Sequence, residues 1–250
     1  MEDAIEKFSI FGGVNWGTID TSKPTFELIE QLILDDYTYI RNDIQELTSG
    51  LPLYHTILTA IALGDGKKHA IYKRARITQD VGDTAIEDLL QRGVIYKKQY
   101  IADGEAHFAF NLPFVRFWFA FVSPLFQGIK EHNYKEVQQR WENREQEWYL
   151  NTFKELSLAL TQTTHYITKD LFIDLYKQER NGSVTLGVVK YTNTKVKKSE
   201  LTQLHLVAQK LHLQSVNFII VSKKGFSNEL KAHKGQQLQL ITLKHFKALV

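Results

Sequence analysis

Two residues in the carboxyl-terminal third of this sequence have the types and spacing of a nuclease site. Asp174 lies in the run Phe-Ile-Asp-Leu, and Lys190 ends the run Gly-Val-Val-Lys. Metal-dependent nucleases place a carboxylate on one strand and an acidic-x-lysine sequence on the next, because Mg²⁺ takes oxygen ligands and the lysine can activate the attacking water. Asp174 is therefore the candidate metal ligand, and Asp174 and Lys190 are the candidate catalytic residues.

The ligand set of this candidate site is one carboxylate short. Val188 stands two residues before Lys190, and a valine cannot bind a metal. Glu155 from the preceding helix or Glu200 from the following helix could supply the missing oxygen. Two interpretations stay open: an active nuclease with a displaced carboxylate, and a vestigial site in which Asp174 and Lys190 are an ion pair or a relic at the sheet edge. The second is favoured.

The elements predicted around Asp174 and Lys190 follow the order αβββαβ. A long helix or a broken helix pair is predicted over residues 134–160. Strands are predicted at 165–167, 171–178, 184–191, 216–222 and 238–243, with helices at 198–211 and 228–231. Residues 131–250 are accordingly predicted to form a restriction-endonuclease-like domain of the α/β class.

The first half of the sequence predicts a helical lead-in over residues 1–50 and a winged-helix domain over residues 51–130. Helices are predicted at 51–63, 68–74 and 82–92, followed by a hairpin with strands at 94–101 and 107–110 and a turn at Asp103-Gly104. Asp83 is expected to cap the third helix. The apolar run 113–126 is too short to span a bilayer and is predicted to be buried core. The whole chain is therefore expected to be of the α+β or α/β class.

Positive charge is concentrated at the end of the chain. From Ser183 onward there are eleven lysines against only Glu200 and Glu229. Such asymmetry suits a polyanion, so DNA is a candidate partner. The candidate DNA-binding residues are Lys73, Arg74, Arg76, Lys97, Lys98, Lys195, Lys197 and Lys198. The helix at 82–92 begins with acidic residues, so base reading is not expected. Two alternatives stay open for this domain: contact with the DNA backbone, or packing against its own neighbour or a protein partner.

Several function classes are not supported by the sequence. The chain has no cysteine, which excludes disulfides, thiolate metal sites and a cysteine nucleophile. No phosphate-binding loop with the Walker spacing and no zinc-site spacing of histidines is present. The amino terminus lacks the basic flank and apolar run of a signal peptide, so a cytoplasmic location is expected.

Three blocks of the sequence resemble a known family. They are Ile-Phe-Gly-Gly-Val at residues 10–14, the aromatic run at 114–129, and the pair of strands that contain Asp174 and Lys190. Together they resemble the carboxyl-terminal region of archaeal-type AAA-like ATPases that end in a DUF234 domain, which is nuclease-like with a PD-(D/E)xK motif. The resemblance covers nearly the whole chain, and Asn15 stands where the family has proline.

The resemblance implies three functions. The family's Phe-Glu helix motif maps to Phe153-Lys154 with Glu155 one place late, its strand motif maps to Asp174, and its Glu-x-Lys motif maps to Val188 and Lys190. The favoured interpretation is a DNA-binding protein with a degenerate nuclease-like domain. The alternatives are a Mg²⁺-dependent deoxyribonuclease and a protein-interaction module that docks on an ATPase encoded separately.

Overall fold

The computed structural model of the protein describes residues 1–98, 100–102, 104–235 and 237–249. Helices and strands occur together, so the mixed α+β class predicted from the sequence is confirmed. The chain divides into two compact units. The helical unit consists of residues 6–98 and 105–146, and the sheet unit consists of residues 1–5, 99–104 and 147–250.

The helical unit contains most of the helices that precede residue 146. Its elements are α1 (Glu2–Phe11), of which residues 2–5 belong to the sheet unit, α2 (Thr25–Ile29), α3 (Tyr37–Leu47), α4 (Pro52–Ala62), α5 (Lys68–Ala75), α6 (Gln79–Gln91), β1 (Ile95–Lys98), β3 (His107–Phe110), α7 (Pro113–Phe117), α8 (Phe126–Lys130) and α9 (Lys135–Glu142). The short strand β2 (Tyr100–Ile101) lies between β1 and β3 in the chain. A π-helical turn, Glu30–Leu34, continues α2. Pro52 opens α4, where the missing N–H has no intrahelical partner to lose.

The predicted hairpin after α6 is split between the two units. β1 pairs antiparallel with β3, with Ile95 opposite Phe110. β2 belongs to the sheet unit instead. The predicted single strand over 94–101 is therefore two strands that join different sheets. Of the predicted turn residues, Asp103 lies outside the described residues.

The contact between α5 and α6 corrects one expectation. α6 begins at Gln79, a turn before the predicted start, so the expectation that Asp83 caps it is wrong. The Asp83 carboxylate instead accepts hydrogen bonds from the Lys68 ammonium at 2.6 Å and the Tyr72 hydroxyl at 2.5 Å. On the same turn, Gly82 faces the Tyr72 ring, and a Cβ at Gly82 would lie 2.4 Å from it. The two helices approach this closely because residue 82 has no side chain.

The apolar run 113–126 supplies the core of the helical unit. α7 continues into a π-helical turn, Trp118–Val122, whose five residues are all buried. The rings of Phe117 and Phe121 contact the Trp141 ring of α9, with centroids 5.6 and 5.3 Å apart. The predicted burial is confirmed for most of the run up to Ser123, whereas Pro124 and Phe126 at its end are exposed.

The sheet unit is built on one six-stranded mixed sheet. Its further elements are α10 (Glu145–Thr161), β4 (Thr164–Thr168), β5 (Leu171–Gln178), β6 (Val184–Lys190), α11 (Ser199–Lys210), β7 (Val216–Ser222), α12 (Asn228–Lys231) and β8 (Leu238–Thr242). The strand order is β2-β4-β5-β6-β7-β8. β4, β5 and β6 are antiparallel neighbours, β6, β7 and β8 are parallel, and β2 is parallel to β4. The predicted order αβββαβ is observed from α10 to β7, and the predicted long helix is the broken pair α9 and α10.

Helices cover both faces of this sheet. On one face, Leu201 and Leu204 of α11 join a buried cluster that includes Leu186 of β6 and Ile220 of β7. On the other face, the rings of Tyr149 and Phe153 of α10 lie 6.2 and 5.2 Å from the ring of Tyr191, which follows β6. Side chains alternate along a strand, so successive residues of β6 face α11 and α10 in turn.

The carboxyl ends of the three parallel strands lie together on one side of the sheet. Lys190, Ser222 and Thr242 end β6, β7 and β8 in register, and we name this side the carboxyl edge. The antiparallel strand β5 begins at the same edge. A parallel bridge between Val196 and Phe226 joins the loops that follow β6 and β7. Open α/β sheets bind their ligands outside this kind of edge.

None of the helices in the described parts of the chain combines the length and apolar character needed to cross a membrane.

Candidate functional site

A β-bulge on β5 sets the direction of the Asp174 side chain. Tyr166 of β4 lies opposite Ile173 and Thr164 lies opposite Tyr176, so two residues of β5 face the single residue His165. A bulge of this kind interrupts the strict alternation of side chains. Ile173 and Tyr176 accordingly share the face covered by α11. Asp174 points to the other face, where α10 lies.

The Asp174 carboxylate is fully engaged by groups of the protein. Its Oδ1 lies 2.7 Å from the Lys154 ammonium of α10. Its Oδ2 accepts a hydrogen bond of 2.9 Å from the backbone N–H of Val189. The backbone carbonyl of Asp174 accepts a further hydrogen bond, 2.7 Å long, from Nδ1 of His165. A carboxylate that is 9% exposed and bound in this way is a structural ion-pair partner.

Lys190 does not contribute to the same site as Asp174. Its ammonium lies 2.9 Å from Oε1 of Glu200, on α11. Val188, two residues earlier on β6, packs against the buried cluster beneath α11, so Lys190 shares that face. The structure therefore places the two candidate catalytic residues on opposite faces, each with its own partner from a different helix.

The remaining donors do not complete a metal site either. Glu155 is half-buried on α10, one residue after Lys154, and Val188 supplies no ligand atom. Within residues 1–98, 100–102, 104–235 and 237–249, no three histidine, aspartate or glutamate side chains are grouped so that they could hold a metal ion. The position that the resemblance assigns to a glutamate holds Lys154, and its ammonium neutralises Asp174. This donor set does not fit Mg²⁺, because the one carboxylate that would bind it is already held by an ammonium and a backbone N–H.

The lysines of the sheet unit are divided between paired and unpaired ones. Residues 147–250 carry fifteen lysines and arginines against seven aspartates and glutamates. Of the three candidate DNA-binding lysines here, Lys198 lies 3.5 Å from Glu229, whereas Lys195 and Lys197 are exposed in the loop after β6. Within the described parts of the chain, the side chains of Lys195, Lys197, Lys210, Lys231, Lys234, Lys244 and Lys247 have no hydrogen-bond or ion-pair partner.

Two further lysines at the carboxyl edge are held by one glutamate. Oε1 of Glu2 lies 2.8 Å from the ammonium of Lys223, and Oε2 lies 2.9 Å from that of Lys224. The Lys223 ammonium also lies over the Tyr191 ring, 4.2 Å from its centroid. Burial raises the pKa of Glu2, but the hydrogen bonds to Lys223 and Lys224 outweigh burial and hold this pKa below its ordinary value. At neutral pH Glu2 therefore neutralises part of the charge at this edge.

The candidate DNA-binding residues of the helical unit differ in the same way. Arg74 is paired with Asp65, which satisfies its charge. The side chains of Lys73, Arg76 and Lys97 are exposed and have no ion-pair or hydrogen-bond partner in the described part of the chain. Lys98 is half-buried and has a partner. Of the candidate DNA-binding residues of this unit, Lys73, Arg76 and Lys97 consequently remain available to an anion.

Two residues of the site were not identified from the sequence. From the sequence, Lys154 is only the residue that stands where the resemblance places a glutamate, although a positive charge at that place itself argues against a bound cation. Phe172, which is half exposed at the start of β5 and carries the Lys154 ammonium 5.2 Å above its ring, was interpreted only as part of a strand. Its exposure could not be foreseen, because it depends on how far α10 covers the sheet.

Comparisons with other proteins do not assign a family: no protein-family model, no curated protein and no solved structure matches this chain.

Proposed function

We propose that this protein binds nucleic acid and does not cleave it, through a sheet unit that is a nuclease-like domain of the PD-(D/E)xK type without its metal site. The proposal continues the resemblance to the carboxyl-terminal region of archaeal-type ATPases with a DUF234 domain. In that case the segment from α4 to β3 is a winged helix. The absence of cysteine suits the reducing cytoplasm, where nucleic acid is available as a partner.

The absence of cleavage is supported by the position of Lys154. An ammonium 2.7 Å from Asp174 provides the positive charge that a metal ion would otherwise bring to the carboxylate, but it offers no coordination site for a phosphate oxygen or for a water. Lys190 points to the other face and is bound to Glu200, so it is not placed to activate water beside Asp174.

The observation that carries the binding function is the set of unpaired lysines in the sheet unit. A lysine that lacks an acidic neighbour keeps its charge available for a phosphate, and each phosphate it neutralises releases counterions from nucleic acid. Lys195 and Lys197 satisfy this condition in the loop that leaves β6 at the carboxyl edge. Lys244 follows β8 at the same edge and is also exposed and unpaired.

The test is the salt dependence of binding to a fluorescein-labelled 20-base-pair duplex, measured by anisotropy. The logarithm of the association constant should fall linearly with the logarithm of the salt concentration. Lys195→Gln with Lys197→Gln should reduce the slope by about 2, since each phosphate that is no longer neutralised lowers it by about 0.9. Lys177→Gln is the matched control, because Lys177 is paired with Glu179 at the far end of β5.

A cleavage assay on plasmid and single-stranded DNA with Mg²⁺, Mn²⁺ or EDTA completes the test. No metal-dependent product should form. The proposal fails if the protein does not bind DNA at low salt, or if it cuts DNA and Asp174→Ala abolishes the cutting.

A further inference from the structure

An aromatic row crosses three neighbouring strands of the sheet unit. The rings of Tyr100 on β2 and His165 on β4 are stacked, with centroids 5.3 Å apart and an angle of 18° between the planes. The His165 ring lies 5.3 Å from the ring of Phe172 on β5. His165 is buried, whereas Phe172 is 50% exposed, so the row ends in a ring that is open on one side.

One ammonium lies over the exposed ring of this aromatic row, and unpaired lysines of the described residues leave the same edge of the sheet. The Lys154 ammonium lies 5.2 Å from the centroid of the Phe172 ring, and its salt bridge to Asp174 holds it there. Because β5 is antiparallel to β6, Phe172 lies at the carboxyl edge, where the loop with Lys195 and Lys197 leaves the sheet. An exposed aromatic ring is thus combined with unpaired cations at one edge.

We propose that the aromatic row, with Phe172 as its contact residue, is a base-stacking site that gives the protein a preference for single-stranded nucleic acid. The proposal rests on the proposed function and adds the class of nucleic acid. Each base has a π-face, so a ring that is flanked by cations binds single strands with little dependence on sequence. In a duplex the bases are stacked on each other and cannot reach the ring, whereas the phosphates remain accessible to Lys195 and Lys197.

The experiment compares Phe172→Ala with the wild-type protein on a fluorescein-labelled oligothymidine and on a labelled duplex of equal length, at one ionic strength. Phe172→Ala should weaken binding of the single strand on the order of tenfold and leave duplex binding unchanged. Phe172→Trp should retain the affinity for the single strand, because an indole also stacks on bases. Circular dichroism and the Tm show that each variant is folded.

The matched control is Leu206→Ala on α11. Leu206 is 51% exposed, as apolar as Phe172, and belongs to the same unit, but it has no aromatic neighbour in the row. Truncation of the Leu206 side chain should change neither the affinity for the single strand nor the affinity for the duplex.

The outcomes separate this inference from the proposed function. If Phe172→Ala binds both nucleic acids as the wild type does, or loses affinity for both equally, the stacking site is refuted while nucleic-acid binding stands. If the wild-type protein binds neither oligonucleotide, the proposed function itself is refuted and the stacking site with it.

Discussion

Asp174 and Lys190 lie on neighbouring strands of one sheet, yet their side chains point to opposite faces of it. The bulge opposite His165 turns Asp174 towards Lys154 of α10, while Lys190 reaches Glu200 of α11. A nuclease needs its carboxylates and its lysine around one phosphate. The arrangement therefore differs from that of an active nuclease in the direction of these side chains as well as in residue type.

Restoring the missing carboxylate should not restore cleavage. Val188→Glu recreates the acidic-x-lysine sequence, but residue 188 faces α11 and Asp174 faces α10. We expect no Mg²⁺-dependent cutting of plasmid DNA by this variant. We also expect a loss of about 1–3 kcal/mol in the free energy of unfolding, because the new carboxylate would be placed against an apolar cluster. Metal-dependent cutting that disappears on adding Asp174→Ala would contradict the assignment of the two faces.

Removing the ammonium from Lys154 should destabilise the sheet unit. Lys154→Met leaves the nearly buried Asp174 carboxylate without its cation, and breaking such a pair from one side costs about 3 kcal/mol. Urea unfolding at neutral pH measures the loss. The double variant Lys154→Met with Asp174→Asn should recover part of it, because the uncompensated charge is gone. Equal stability of the Lys154→Met variant and the wild type would show that this ion pair has no structural role.

The Glu2 contacts predict a stability difference that depends on pH. The pKa of Glu2 is lower in the folded protein than its ordinary value of 4.5. The ionised carboxylate therefore stabilises the folded protein at any pH above 4.5. This stabilisation is lost as the pH falls through the folded-state pKa. Glu2→Gln should therefore unfold more readily than the wild type at pH 7, by about 1–3 kcal/mol, because the ammonium of Lys223, whose side chain is 5% exposed, loses the carboxylate of Glu2 as a partner. The difference should shrink as the pH falls below 4.5 and should vanish once the pH is below the lowered folded-state pKa of Glu2. Thermal unfolding of the wild type and of Glu2→Gln, measured from pH 7 downward, tests the direction of this change. A stability difference that grows on acidification would contradict the prediction.

Gly82 should resist substitution although it lies inside a helix. Alanine favours helix by about 1 kcal/mol over glycine, but a Cβ at this position would meet the Tyr72 ring at 2.4 Å. Overpacking of this kind costs about 1–3 kcal/mol, so Gly82→Ala should lower the Tm. Gly235→Ala is the control, because a Cβ at Gly235 would meet no other described residue within 4 Å. A Tm of Gly82→Ala above that of the wild type would mean that α5 and α6 separate at little cost.

The elements around the candidate site could be predicted because their signals are local. The strand over 171–178 has the bounds predicted from its β-branched and aromatic residues. Asn181-Gly182 marks the turn before β6, and the spacing of Leu201, Leu204 and Ala208 marks the buried face of α11. Each of these patterns is complete within a few residues of sequence.

The direction of Asp174 and the destination of Tyr100 could not be predicted in the same way. The bulge depends on a register between β4 and β5, with His165 bound to the Asp174 carbonyl, and no pattern within β5 alone encodes that register. Tyr100 follows Ile95–Lys98 without a turn signal, so its transfer to another sheet is decided by pairing with His165, sixty-five residues later.

The short strand β2 has a consequence for how the protein can be dissected. Because residues 99–104 belong to the sheet unit while the segments on either side belong to the helical unit, no single proteolytic cut separates the two. A fragment truncated to residues 147–250 would lose the strand that covers β4 and would display its free N–H and C=O groups. Such a fragment is expected to self-associate through this exposed strand. The sheet unit should therefore be produced together with the rest of the chain.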